Sequence, residues 1–144
     1  MFNKRFYIGW ILSALFMYLA FYAFHGLLTN DFLKLGKGQT FFFSTAAIVY
    51  LVIAFGMGLV FNSDTAKNIV SAPYKRALAI GTLSAVLMYG IAITVGISFS
   101  MSRSSLNILV DVCWQIIEQN IGALTIATAH SLFSVYEEQH DNFL

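Results

Sequence analysis

Asp111, Gln115 and Glu118 follow one another at intervals of four and three along an otherwise apolar stretch, and Gly122 and Thr125 continue the progression. On a helix of 3.6 residues per turn these positions share one face. Gln119 and Asn120 set two amides beside the stripe. Carboxyls inside an apolar segment are costly to insert into lipid, so they are candidates for a proton relay, an ion path or a buried hydrogen-bond network. A second row lies near the N terminus, where Tyr18, Tyr22 and His25 repeat the spacing and place two phenols and an imidazole on one face.

These rows need elements to hold them. Four apolar runs reach or approach the ~20 residues that span the hydrocarbon of a bilayer: 6–28, 41–61, 77–99 and 106–133. Counting ~1.5 Å per residue from the ends of the first and last runs, His25 lies ~4.5 Å deep, Tyr22 ~9 Å and Tyr18 ~15 Å. By the same count Asp111 lies ~7.5 Å deep, Gln115 ~13.5 Å and Glu118 ~18 Å. The two rows therefore match in depth, and a polar seam is expected that pairs His25 with Asp111, Tyr22 with Gln115 and Tyr18 with Glu118. A carboxyl at such depth must find a donor or keep its proton.

Composition sets the class that these runs imply. Of 144 residues, 58% are hydrophobic and only 10% charged, and the mean hydropathy is +0.74. A soluble globule carries far more charge. The expected architecture is all-α: one polytopic membrane domain over 1–144, a four-helix antiparallel transmembrane bundle. Lys4, Arg5, Lys67, Lys75 and Arg76 fall on one side of it, and Lys34, Lys37 and Arg103 on the other. Positive residues collect on the cytoplasmic side, which places both termini in the cytoplasm. The first run is longer than a signal-peptide core and lacks a small-residue cleavage pattern, so it reads as a retained helix.

The connections are expected to be loops. Gly36 and Gly38 mark a solvated turn after the first run, and Pro73 lies in a loop from Asn62 to Arg76. Ser104 or Ser105 can cap the last helix, and Glu137 to Leu144 reads as a solvated acidic tail. Small residues four apart, Ala54 with Gly58, Gly81 with Ala85 and Ala92 with Gly96, allow close backbone approach.

Several classes of function lose support. The net charge is +1 without a dense basic tract, so no nucleic-acid partner is expected. Cys113 is the only cysteine, which rules out an intrachain disulfide and a CxxC motif. His130 lies ~36 Å below the external end of the last run and His25 only ~4.5 Å below that of the first, too far apart to share a haem iron. His25 with Asp31 is a weak metal pair, short of a closed ligand set. His130 and His140 read as part of a solvated cytoplasmic end. No phosphate-binding glycine loop, hydrolase triad or zinc-protease helix appears, and nothing asks for an enzyme.

His25-Gly26 closing the first run, Asp31-Phe32 after it, and Trp114, Glu118 and Gly122 in the last run resemble a pattern in uncharacterised small four-span bacterial inner-membrane proteins. The matching positions cover about a fifth of the chain, and Gln115, Gln119 and Asn120 make this last helix more polar than that pattern. The resemblance implies four spans, a bacterial inner membrane and attention to His25, Asp31 and Glu118, and it implies no mechanism.

The resulting expectation is a non-enzymatic accessory or structural subunit that packs against other membrane subunits or copies of itself. One alternative is a small proton-linked carrier or channel oligomer in which Glu118 titrates. Another is a cofactor- or lipid-binding module on the Tyr18, Tyr22 and His25 face beside Trp114, with no particular cofactor specified.

Overall fold

The computed structural model describes residues 3–28, 38–97 and 105–141. They form helices only: α1 (Lys4–Tyr22), running on into a π-helical segment (Ala23–Leu28), then α2 (Gln39–Asn62), α3 (Asp64–Ile69), α4 (Pro73–Ile97) and α5 (Ser105–Asp141). Among the described residues there is no strand. Three helical stretches are long and apolar enough to cross a membrane: Lys4–Leu28, Gln39–Asn62 and Pro73–Thr94.

Local chemistry sets several boundaries. Asn3 caps α1, its Oδ1 accepting from the Phe6 amide at 3.1 Å, and so satisfies one of the donors that a helix start leaves open. The segment expected as a loop from Asn62 to Arg76 contains α3. Ser63 caps it by accepting from Ala66 N at 3.2 Å, and Lys67 pairs with Asp64 at 3.1 Å. Pro73 opens α4, at a first-turn position where its missing N–H costs nothing. The acidic tail expected after Glu137 is helical through Asp141, because α5 continues past the span predicted for it. Ser104 lies outside the described residues.

Helix packing follows the small residues. Ser13, Ala14 and Met17 of α1 and Ala123, Ile126 and Ala127 of α5 are buried, and Gly9 rests on Ile126 and Ala129. Farther along, Met17 closes over Gly122 and Phe24 stacks on Trp114, so numbers climb along α1 as they fall along α5. Phe6 lies against Gly58 and Phe55 of α2, and Phe21 against Phe42 and Tyr50. Buried Ala77, Gly81 and Ala85, each four residues from the next, turn one face of α4 toward α5. Two of the expected small pairs, Ala54 with Gly58 and Gly81 with Ala85, thus sit at buried positions; Ala92 is exposed.

Candidate functional site

The polar centre is built on α5, which touches α1, α2 and α4. Glu118 is 1% exposed and Gln119 0%. The Glu118 Oε2 accepts from Trp114 Nε1, one helical turn earlier, at 3.2 Å. From α2, Tyr50 stands near enough to the same carboxyl for the two groups to interact. The Trp114 indole is stacked on Phe24, with ring centroids 4.2 Å apart and planes 10° from parallel. Phe24 belongs to the π-helical end of α1, whose wider turn swings its side chains relative to an α-helical register. Glu118 thus draws α2 and α1 onto α5 through one carboxyl and one indole.

Gln119 and Asn120 face α4. Ser84 donates to Gln119 Oε1 at 3.2 Å, and Asn120 Nδ2 donates to Thr82 Oγ1 at 3.2 Å and to the Ile116 carbonyl at 2.9 Å. Tyr89 donates to the Ile108 carbonyl at 3.1 Å. These bonds lie beside a close approach of α4 to α5, where a Cβ on Gly81 would stand 3.0 Å from the Gln119 carbonyl oxygen.

The sequence-predicted residues are placed as follows. Tyr18 packs on Phe21 and edge-on against Tyr50, so it neighbours the tyrosine that meets Glu118, and the expected Tyr18–Glu118 contact is taken by Tyr50 instead. Tyr22 is 45% exposed, with its ring against Phe43. His25 lies against Phe21 and Phe24. Asp111 is half-buried, and Gln115 lines a cavity with Tyr50. Asp31 falls outside the described residues. Among those described, no group of three His, Cys, Asp or Glu side chains could hold a metal ion.

Sequence reasoning missed Tyr50, Ser84 and Thr82. A signal for Tyr50 exists, since a tyrosine midway along an apolar span, away from the interfacial belt, needs a partner for its hydroxyl. Ser84 and Thr82 are too small and too common in membrane helices to stand out.

His130, expected at a solvated end, is half-buried with its ring edge-on to Phe61, 5.7 Å between centroids. Arg76, 7% exposed, lays its guanidinium 4.4 Å from the centre of the Phe61 ring and donates to the Val70 carbonyl at 3.3 Å. Arg5, Arg76 and Lys67 are close enough for their charge to act on His130.

The fold and this centre define a helical protein with three membrane-compatible helices and a buried polar core on a fourth long one. No protein-family model, curated protein or solved structure matches the chain.

Proposed function

We propose that the chain is a non-enzymatic integral membrane subunit: a four-span antiparallel bundle with α5 as the fourth span, both termini cytoplasmic, in a bacterial inner membrane. It works by association with other membrane subunits or with copies of itself. The observation that carries this reading is where α5 directs its polarity. Glu118 and Gln119 are sealed inside the chain on Trp114, Tyr50 and Ser84, as a network that fixes helix register does. What the chain turns outward is apolar: Leu83, Val86, Leu87 and Ile91 of α4 are all more than half exposed, a face suited to lipid or another helix.

Native mass spectrometry of the protein extracted in mild detergent tests this. A stoichiometric protein partner or a defined homo-oligomer is the expected result. A bare monomer that carries out its own transport or chemistry overturns it.

A second reading, a proton-linked carrier centred on Glu118, is favoured by one feature. Oε1 of Glu118 and Nε2 of Gln119 are buried with no hydrogen-bond partner among the described residues. Proton flux into liposomes that is present in the wild type and lost in Glu118→Gln would establish that reading; equal flux in both removes it.

A further inference from the structure

Two hollows adjoin at Ile53 and Met88, the first between α2 and α4 and the second walled by α1, α2, α4 and α5. The first, of about 360 Å³, runs between Val60 and Ile80 at one end and Ile53 and Met88 at the other. Its walls are almost wholly apolar, because the hydroxyl of Ser84, its polar lining group, is spent on Gln119. Val52, Val60, Leu83 and Leu87 stand exposed along its rim, so it opens sideways, toward lipid in a membrane. The second, of about 320 Å³, shares Ile53 and Met88 with the first and continues past Tyr50 to Phe42.

That second hollow differs in kind. It is lined by the rings of Phe21, Phe42 and Tyr50, with Phe21 5.9 Å from Phe42 and 5.6 Å from Tyr50 between centroids, and by three polar side chains, Thr45, Tyr50 and Gln115. Of these, Tyr50 stands beside Glu118. Among the described residues the Gln115 amide has no side-chain hydrogen-bond partner, and it brings both donors and an acceptor to the cavity wall. Charge limits the guest as well. Among the described residues no Lys or Arg lines either hollow, Glu118 stands near Tyr50, and Arg5, Lys67 and Arg76 gather around His130 near the far end of α2. An anionic head would meet no Lys or Arg among these lining residues.

We propose that the paired hollows bind a neutral amphiphile with a flat ring as its head, of the alkyl- or prenyl-quinone class. The ring lies among Phe21, Phe42 and Tyr50, and a ring carbonyl accepts from the Gln115 amide. The tail leaves past Ile53 and Met88 along the α2–α4 groove. Aromatic walls favour a flat ring over a glycerol head, and few polar groups in a mostly apolar pocket is the usual composition of a small-molecule site.

The test uses the full chain in detergent and three probes, a decyl-tailed benzoquinone, monoolein and oleate, with 1:1 adducts followed by native mass spectrometry and affinities by tryptophan quenching or competition. The quinone is expected to bind at least fivefold more tightly than monoolein and at least tenfold more tightly than oleate. Gly56→Leu fills the tail groove at a position where an added Cβ meets nothing within 4 Å, so the fold is kept while quinone affinity falls at least tenfold. Gln115→Leu lowers quinone affinity about fivefold and leaves monoolein unchanged. Equal binding of the three probes, no adduct with the quinone, or undiminished affinity in both variants overturns the proposal. The ranking of probes on the wild-type chain stands whether or not a variant folds.

Discussion

Gly81→Ala tests the close approach of α4 to the backbone of α5. The added Cβ would stand 2.6 Å from Asn120 Oδ1, 2.9 Å from Asn120 Cα and 3.0 Å from the Gln119 carbonyl oxygen. The Asn120 side chain can rotate away, but the other two atoms are backbone. To restore a separation of ~3.5 Å, α4 has to move off α5 by about 0.5 Å. The Ser84–Gln119 and Asn120–Thr82 bonds, both 3.2 Å long, then stretch to about 3.7 Å and leave the hydrogen-bonding range. Overpacking of this kind costs about 1–3 kcal/mol, and two interhelical bonds in a membrane protein add ~0.6 kcal/mol each. Replacing glycine by alanine in a helix returns about 1 kcal/mol. The net destabilisation is about 1–3 kcal/mol, measured as a lower SDS mole fraction at the midpoint of unfolding in mixed micelles, followed by circular dichroism. Gly90→Ala, on the same helix where the new Cβ meets nothing within 4 Å, should leave that midpoint unchanged or raise it. If Gly81→Ala unfolds at the wild-type midpoint, α4 and α5 do not approach as described and the reasoning fails.

Further perturbations separate the other contacts. Glu118→Gln keeps an acceptor for Trp114 Nε1 and should cost under about 1 kcal/mol in the same assay, whereas Glu118→Ala strands the indole and the Tyr50 hydroxyl beside a cavity and should cost about 2–4 kcal/mol. Trp114→Leu removes both the stack on Phe24 and the donor to Glu118; a loss of about 2–3 kcal/mol is expected from the missing aromatic packing and bond. Arg76→Met keeps the stem but loses the guanidinium over Phe61 and its bond to the Val70 carbonyl, for a loss of about 1–2 kcal/mol at the same unfolding midpoint. With Cys113 replaced by serine, single cysteines at Asn3 and Asp64 should both react with a membrane-impermeant maleimide from the cytoplasmic side of the membrane; reaction from opposite sides would exclude the proposed topology.

Much of this fold was written in hydropathy. The apolar runs give α1, α2 and α4 to within a few residues, because nothing but a helix satisfies the backbone of such a run in lipid. Glu118 was legible too, as a carboxyl in an apolar stretch. Its partners were not, for a geometric reason. Matching depths along α1 and α5 says which residues lie at the same level, but not which way each row is turned. Tyr18 is at the right level and rotated toward Phe21 and Tyr50, and Tyr50 comes from a helix whose polarity was too sparse to register as a stripe. The π-helical end of α1 also shifts the phase of its last turns, so a 3.6-residue period projected through His25 loses its aim. The short helix α3 was hidden by its flanking Ser63 and Pro73, which read equally as loop residues.

Hydropathy ranks α5 below the other long helices, and packing explains how so polar a helix can still occupy the middle. Over little more than one turn, Glu118 meets Tyr50 of α2, Gln119 and Asn120 meet Ser84 and Thr82 of α4, and Gly122 lies under Ser13 and Met17 of α1. The carboxyl points to one neighbour and the two amides to another, and glycine takes the side where a third helix presses close. A helix surrounded in this way gains nothing from an apolar surface at that level, and its polar groups can supply directional bonds that lipid-facing residues cannot. The α2–α4 side is built differently: its groove between Val52 and Leu87 is walled by apolar side chains apart from Ser84, the residue that α5 holds through Gln119.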